Sequence, residues 1–173
     1  MVPIIVILVL FLDQCTKFLA LKNLSLYQSI PVVKGIFHLT LIHNRGAAFG
    51  IFKNQLSLFI ATAILATALI YHAIRNNRDK NFSLYVFSLT LILAGGIGNL
   101  IDRIFLGYVV DFLDFRVWPV FNIADSAITI GAILLGWIIL NPKERKSQIA
   151  KLKRKTQNVL RFELRFCLLR FEV

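Results

Sequence analysis

The chain has 173 residues, of which 57% are hydrophobic, and it carries a net charge of +11. That apolar fraction exceeds what one soluble domain of this length needs for its core. The apolar residues also fall in blocks, which excludes an ordinary globular fold and favours membrane-spanning helices. The two cysteines and three histidines form no metal-binding motif, so the sequence predicts neither a metal site nor a cofactor.

The first predicted helix covers residues 3–21 and contains Asp13 and Lys17 within the stretch DQCTK. These two side chains are four positions apart and therefore share one helix face. Two interpretations stay open: an ion pair that lets an apolar helix carry polar groups, or an anchor for a polar group of a substrate. The stretch before Asp13 is as apolar as a signal-peptide core, but no basic residue precedes it, so we expect a retained helix.

The segment after this helix contains a candidate strand and a candidate binding turn. IFHLTLIHN partly alternates between apolar and polar residues, which predicts a short strand or hairpin. NRGAAFG overlaps its end, and Gly46 there permits a tight turn. The segment is either a simple turn back into the membrane or a site where Asn44 hydrogen-bonds the backbone of a substrate.

Three further apolar segments lie at residues 56–74, 82–101 and 122–140. Each is about 19–20 residues long, which is enough to cross a bilayer. We therefore expect a four-helix membrane domain over residues 1–141, followed by a basic cytoplasmic tail at 142–173.

The third helix is predicted to end in GGIGNLIDR, whose small residues allow close packing between helices. Asn99, Asp102 and Arg103 have the spacing to point inward together. We expect Arg103 to keep nearby carboxylates ionised and to fix their geometry.

The distribution of charge predicts the orientation. Residues 75–80 and 143–173 hold thirteen of the twenty Lys and Arg residues. By the positive-inside rule both termini lie in the cytoplasm, and residues 22–55 and 102–121 lie outside. The basic tail follows an apolar helix directly, which favours lipid headgroups over nucleic acid as its partner. The predicted fold class is an all-α membrane protein, with four transmembrane helices and a small extracytoplasmic β element.

GYVVDFLDF and FNIADS contain the last acidic residues before the tail. The first stretch is rich in β-branched and aromatic residues. If it is extended, Asp111 and Asp114 point to opposite faces, and we expect Asp114 to be a solvated outer residue. Asn122 and Asp125 have the spacing of a helix N-cap and capping box, which explains them without a catalytic role.

Asp111 and Asp125 are the strongest functional candidates. Ionisable side chains close to membrane-spanning segments are costly and rarely idle. Two carboxylates brought together can share a proton, so that one acts as acid and the other as base on a water molecule. From the residues alone Asp102 ranks about equal to Asp111, because Asp102 stands at a predicted helix end, like Asp125, whereas Asp111 lies in a predicted loop.

Two other classes of protein stay open. A small carrier or proton channel would use Asp13, Lys17, Asp102 and Asp125 as a relay. A scaffold subunit would use its polar residues only to lock helices together. A serine peptidase is disfavoured, because the sequence has no GxSxG motif.

Taken in order, DQCTK, NRGAAFG, GGIGNLIDR, GYVVDFLDF and FNIADS resemble the motifs of the lipoprotein signal peptidases, also called signal peptidase II. The resemblance spans residues 13–140 and does not extend to the tail. This family consists of aspartic peptidases of the bacterial inner membrane. They remove signal peptides from prolipoproteins just before a cysteine that carries diacylglyceryl, and the cyclic peptide globomycin inhibits them.

The resemblance implies that Asp111 and Asp125 are the catalytic pair, close to the outer leaflet of the bacterial cytoplasmic membrane. It implies a lipid-modified prolipoprotein as substrate, with membrane lipids and globomycin-type inhibitors as further partners. We expect a monomer without a nucleic-acid partner. The residues that the resemblance assigns to substrate binding or to shaping the site are Asp13, Lys17, Asn44, Gly46, Asn99, Asp102, Arg103, Asn122 and Ala124.

Overall fold

The computed structural model describes residues 1–46, 56–77, 83–143, 150, 156–157 and 161. The end of the NRGAAFG stretch, from position 47, and most of the basic tail lie outside the described residues. The chain divides into two compact units, Met1–Leu134 and Leu135–Val173. The first contains every described strand and all the predicted site residues, and the second begins within the last helix. The division into a membrane domain and a cytoplasmic tail stays a prediction.

Four helices form where the apolar segments predict them. They are α1 (Val2–Asn23), α2 (Leu56–Asn76), α3 (Leu84–Phe105) and α4 (Ile123–Leu140). Each is long and apolar enough to cross a membrane, with a mean hydropathy between 1.9 and 2.2. The predicted all-α membrane fold is therefore confirmed.

The ends of α3 differ most from the prediction. Ser83 accepts a hydrogen bond from the backbone N–H of Val86 at 3.3 Å and so caps the start of the helix. At the other end the helix does not stop at residue 101 but continues to Phe105. Asn99 and Asp102 are therefore held on one rigid helical face, where both are buried.

Three antiparallel strands form the small β element. In their order across the sheet they are β1 (Ser29–Val33), β2 (Phe37–Asn44) and β3 (Val109–Asp114). The predicted strand in IFHLTLIHN is β2, and GYVVDFLDF supplies β3. Near one end of this pair, Asn44 is opposite Val109 and Ile42 is opposite Asp111. This register brings the side chain of Asn44 close to the strand that carries Asp111.

One face of the sheet packs on the end of α1. The buried apolar side chains that meet there are Ala20, Leu24, Leu41, Val110 and Phe112. Because side chains alternate along a strand, Asp111 points to the face of β3 opposite to that of its two neighbours. The apolar contact thus fixes the sheet on the helices and leaves the other face for Asp111.

Glycines bring α3 and α4 into close contact. A Cβ atom on Gly95 would clash with the backbone carbonyl of Ala124, and one on Gly131 would meet the backbone of α3 at 2.6 Å. Residues with a side chain do not tolerate this spacing. The first turn of α4, with Asp125, is thereby packed against the part of α3 that carries Asn99.

The prediction for Asp114 is wrong. This residue is 5% exposed rather than solvated. Its carboxylate accepts hydrogen bonds from the Thr40 hydroxyl at 2.7 Å and from the backbone N–H of Arg116 at 2.8 Å. The Arg116 guanidinium adds an ion pair at 3.2 Å. The carboxylate stays buried because the neighbouring strand and the following loop supply its donors.

Candidate active site

Lys17 is the centre of a buried ionic cluster. Its Nζ lies 2.8 Å from Asp13 Oδ2 and 2.9 Å from Asp102 Oδ2, and it donates to Asn99 Oδ1 at 3.0 Å. The cation and both carboxylates are almost completely buried. The predicted ion pair along α1 is therefore present, and it is one part of a larger cluster that joins α1 to α3.

The same two carboxylates also bind backbone groups of other elements. Asp13 Oδ1 accepts from the backbone N–H of Ala124 at 2.9 Å, and Asp102 Oδ2 accepts from that of Val110 at 3.0 Å. Asp13 thereby holds the first turn of α4, and Asp102 holds the start of β3. Ala124 itself is fully buried, so its place in the site is that of a backbone donor and a packing residue.

Gln14 completes this cluster and was missed in the sequence analysis. Its Nε2 donates to Asp13 Oδ2 at 3.2 Å and to Asp102 Oδ1 at 3.0 Å. An amide between two carboxylates lowers the cost of burying them together. Its position next to Asp13 in DQCTK is visible in the sequence, but its contact with Asp102 joins two helices and has no local signal.

Asp111 and Asp125 are joined by two asparagine side chains. Asn122 Nδ2 donates to Asp111 Oδ1 at 2.7 Å and to Asn99 Oδ1 at 3.1 Å. Asn99 Nδ2 in turn donates to Asp125 Oδ1 at 2.7 Å. The structure therefore brings together four of the residues that the sequence analysis selected, and links the two acidic side chains through an uninterrupted chain of hydrogen bonds.

Asn44 holds the second oxygen of Asp111. Its Nδ2 donates to Asp111 Oδ2 at 2.9 Å, and its own Oδ1 accepts from the backbone N–H of Gly46 at 3.1 Å. Gly46 therefore orients Asn44, and Asn44 orients Asp111. The sequence suggested Asn44 as a contact for a substrate backbone, whereas this amide donates to the carboxylate.

The predicted capping box at the start of α4 is present. The backbone N–H of Asp125 donates to Asn122 Oδ1 at 2.8 Å, and that of Asn122 donates to Asp125 Oδ2 at 3.3 Å. The carboxylate of Asp125 is thus fixed at the positive end of the helix dipole. One residue, Asn122, contacts both acidic side chains.

The two pairs of carboxylates have different partners. Lys17 forms ion pairs with Asp13 and Asp102, whereas the hydrogen-bond donors to Asp111 and Asp125 among the described residues are amide and backbone N–H groups. Burial, followed by the nearby charge of Asp125, raises the pKa of Asp111 to about 7. Near neutral pH this pair can therefore retain a proton that an isolated carboxylate would lose.

Arg103 lies beside the site without an ion pair to a described carboxylate. Its Nη1 donates to the backbone carbonyl of Asn99 at 3.3 Å, and its guanidinium carbon is 5.5 Å from the centre of the Phe59 ring. Lys17, rather than Arg103, forms the ion pairs with Asp13 and Asp102, and that Arg103 keeps nearby carboxylates ionised and fixes their geometry stays a prediction.

The three histidines have other partners. His38 hydrogen-bonds Ser29 Oγ at 3.1 Å, His43 stacks on Tyr108 with 3.9 Å between ring centres, and His72 hydrogen-bonds Asn76 at 2.7 Å. In the described ranges of the chain no group of three or more His, Cys, Asp or Glu side chains could hold a metal ion. That the protein needs neither metal nor cofactor stays a prediction.

A cavity of about 480 Å³ opens beside Asp125. Its walls are formed by the β3–α4 loop and by the first turns of α4, and apart from Asp125 they are aromatic, aliphatic or hydroxyl-bearing. The lining residues are Phe115, Trp118, Phe121, Asp125, Ser126, Thr129 and Ile130. No pattern in the sequence predicts this cavity.

Comparison with known proteins gives a consistent result. A family model described as signal peptidase (SPase) II matches residues 5–141. The chain is 51% identical over 142 residues to the lipoprotein signal peptidase of Caldanaerobacter subterraneus subsp. tengcongensis, which covers 81% of this chain and 96% of that protein. It is 47% identical over 137 residues to the lipoprotein signal peptidase of Halothermothrix orenii, which covers 78% and 92%.

Solved structures agree with the sequence relatives. Two structures of a bacterial membrane enzyme, obtained by the in meso method at 2.3 and 1.9 Å resolution, are each 31% identical to this chain. The first superimposes with a TM-score of 0.73 over 90% of both chains. The second gives 0.75 over 82% of this chain and 93% of the other. The chain therefore belongs to the signal peptidase II family of peptidases and is a multi-pass bacterial membrane protein.

Proposed function

We propose that this protein is an intramembrane aspartyl endopeptidase that removes signal peptides from diacylglyceryl-modified prolipoproteins, cutting just before the lipidated cysteine. Membership of the signal peptidase II family supports the peptidase activity and the class of substrate. The catalytic assignment is carried by one observation, the chain of hydrogen bonds that joins Asp111 to Asp125 through Asn122 and Asn99.

The partners of each carboxylate support this choice over Asp102. Asp102 is bound by a cation, because its carboxylate forms a buried ion pair with Lys17 and also accepts from Gln14 and from the backbone N–H of Val110. Asp111 and Asp125 accept from neutral amides, and Asp125 lines an open cavity.

The chemistry follows from a shared proton. The ionised carboxylate takes a proton from a water molecule, whose oxygen bonds to the scissile carbonyl carbon, while the protonated carboxyl donates a hydrogen bond to the carbonyl oxygen. The C–N bond then breaks, and the cysteine amine leaves with a proton from the pair. The raised pKa of Asp111 supports one retained proton near neutral pH. Because the two groups are coupled, the proton belongs to the pair.

The orientation proposed from charge suits this substrate. With both termini in the cytoplasm, the last turn of α3 and the first turn of α4 face the outer leaflet, together with the sheet. A diacylglyceryl group keeps the substrate cysteine in that leaflet, close to the carboxylates. The protein then acts as a monomer on a lipid-modified prolipoprotein, and a globomycin-type inhibitor competes for the same carboxylates.

The test is cleavage of a lipidated precursor by purified wild-type, Asp111→Asn and Asp125→Asn enzymes. Both variants are expected to lose cleavage while they keep their thermal unfolding transitions. Asp114→Asn is the matched control, because it alters a buried carboxylate of the same strand that contacts Thr40 and Arg116. Full cleavage by Asp111→Asn or Asp125→Asn would overturn the assignment and would favour a scaffold role for the polar residues.

A further inference from the structure

We infer that the cavity beside Asp125 binds one acyl chain of the diacylglyceryl group on the substrate cysteine. The inference rests on the proposed function, which supplies the lipidated substrate, and it names the part of the protein that recognises the lipid. The cavity, defined by the seven residues given above, is here called the acyl pocket.

The two walls of the acyl pocket leave little polar surface. Phe115, Trp118 and Phe121 come from the β3–α4 loop, and the opposite wall is one stripe of α4. On that stripe the Ser126 hydroxyl already donates to the backbone carbonyl of Asn122 at 2.9 Å. A peptide segment in this space would bury backbone N–H and C=O groups that need partners, whereas a hydrocarbon chain needs none.

The acyl pocket runs from a proposed catalytic group to the lipid-facing surface. Asp125 lines one part of it, and Ile130, which is 51% exposed, lines another. Ile133, which is also exposed on α4, does not line the pocket. Trp118 is 69% exposed at the rim, and tryptophan is a residue that favours the membrane interface. A chain attached to the cysteine can therefore pass from the bilayer to Asp125 without crossing water.

The aromatic wall is held in place before any ligand binds. The Phe115 ring lies between those of Phe37 and Phe121, at centroid distances of 5.0 and 5.9 Å. The contacts of Asp114 with Arg116 fix the loop just after Phe115. A preformed wall of this kind reduces the ordering cost of binding.

We expect the acyl pocket to determine where the substrate is held more than how tightly it binds. An acyl chain that enters it leaves lipid rather than water, so its transfer gains little from the hydrophobic effect. What the chain gains is a fixed place, which holds the attached cysteine and its peptide bond beside Asp125. The acyl length should therefore alter the efficiency of cleavage, and filling the pocket should remove that dependence.

The test uses one precursor peptide whose cysteine carries either dipalmitoylglyceryl or dibutyrylglyceryl, with cleavage measured as kcat/KM. Wild-type enzyme is expected to favour the long chains by about tenfold or more. Ile130→Trp fills the pocket from its exposed side and should lower kcat/KM for the long-chain substrate by a similar factor, with less than about a twofold change for the short one. Ile133→Trp is the matched control on the same helix and should retain the wild-type preference.

Each outcome decides the inference. Equal cleavage of both substrates by the wild type, or an equal loss on both in Ile130→Trp, would overturn it, and the second result would assign the cavity to a peptide segment. In either case cleavage itself would leave the proposed function standing. If the wild-type enzyme cleaves neither lipidated precursor, the proposed function fails and the inference fails with it.

Discussion

Asn122 and Asp125 cap each other across the first turn of α4, through backbone-to-side-chain hydrogen bonds of 2.8 and 3.3 Å. The same Asn122 side chain donates to Asp111 at 2.7 Å. The Asn122 side chain therefore both caps α4 and helps to align the two carboxylates. A change at Asn122 should affect stability and activity together, and the two effects can be separated with a second capping residue.

Asn122→Ala removes the cap of α4 and is expected to lower the free energy of unfolding by about 1–2 kcal/mol. It also removes the amide that donates to both Asp111 and Asn99, so kcat should fall by at least about tenfold. Ser83→Ala is the control, since Ser83 caps α3 through Val86 and contacts neither carboxylate. It should lose a similar amount of stability and retain kcat. Thermal unfolding gives the stability of both variants, and cleavage assays give their kcat. An unchanged kcat in Asn122→Ala would contradict the proposal that Asn122 aligns the two carboxylates.

Lys17→Met should be among the most damaging single changes in α1. It leaves Asp13 and Asp102 buried without their cation, and breaking a buried ion pair in this way costs about 3–5 kcal/mol. Lys22→Met, in the exposed last turn of the same helix, should change stability by less than about 0.5 kcal/mol. Denaturation of both variants in the same detergent compares them, and equal stabilities would refute the structural role of Lys17.

The pH dependence of cleavage should have an alkaline limb near pH 7. The pKa of Asp111 is raised to about 7 by burial and by the charge of Asp125, and the pair loses its shared proton as the pH rises past that value. The hydrogen bond from Asn44 favours the ionised form and lowers the same pKa. Asn44→Ala should therefore move the limb to higher pH.

A control for that shift is Thr40→Val, which removes a hydrogen bond to Asp114 and should leave the limb in place. The measurement is kcat/KM against pH for wild type and both variants. A limb that stays fixed in Asn44→Ala, or moves to lower pH, would mean that Asp111 does not control it.

Gly98→Ala should disturb the ionic cluster from a neighbouring helix. The new Cβ would lie 2.7 Å from Asp13 Oδ2 and 3.3 Å from the Cβ of Ala124, so the hydrogen bond between those residues must shift. We expect a loss of about 1–3 kcal/mol. Gly96→Ala, two positions away, meets Thr67 at an ordinary 3.6 Å and should be nearly neutral. Unfolding temperatures distinguish the two, and equal values would show that the cluster tolerates the added methyl group.

The sequence predicts the helices well, because an apolar run of sufficient length has few other stable forms in a bilayer. Local spacing also predicted the capping box and the ion pair along α1, since both depend on residues three or four apart. Asp114 was predicted wrongly, because its partner Thr40 is on another strand and the register of β2 and β3 is not visible in either segment alone.

The same limit applies to Gln14 and to the acyl pocket. Gln14 contacts Asp102 across two helices, and the pocket is formed by a loop that folds over α4. Neither is encoded in a local pattern. The residues alone rank Asp111 and Asp102 about equal, and the family resemblance favours Asp111. The partners of Asp102, Lys17 and Val110, are distant in sequence and are identified by the structure.

Phe121 forms a bridge to Leu113, with hydrogen bonds of 2.8 and 3.0 Å in the two directions, which closes the loop between β3 and α4 at its base. Asp111 and Asp125 stand outside that closure, and the aromatic residues Phe115 and Trp118 stand within it. Insertions or substitutions inside the loop can thus be absorbed without displacing either carboxylate. On the proposed function, the preference for an acyl chain can therefore be altered in this loop while both carboxylates keep their positions, and laboratory evolution aimed at new substrates should begin there.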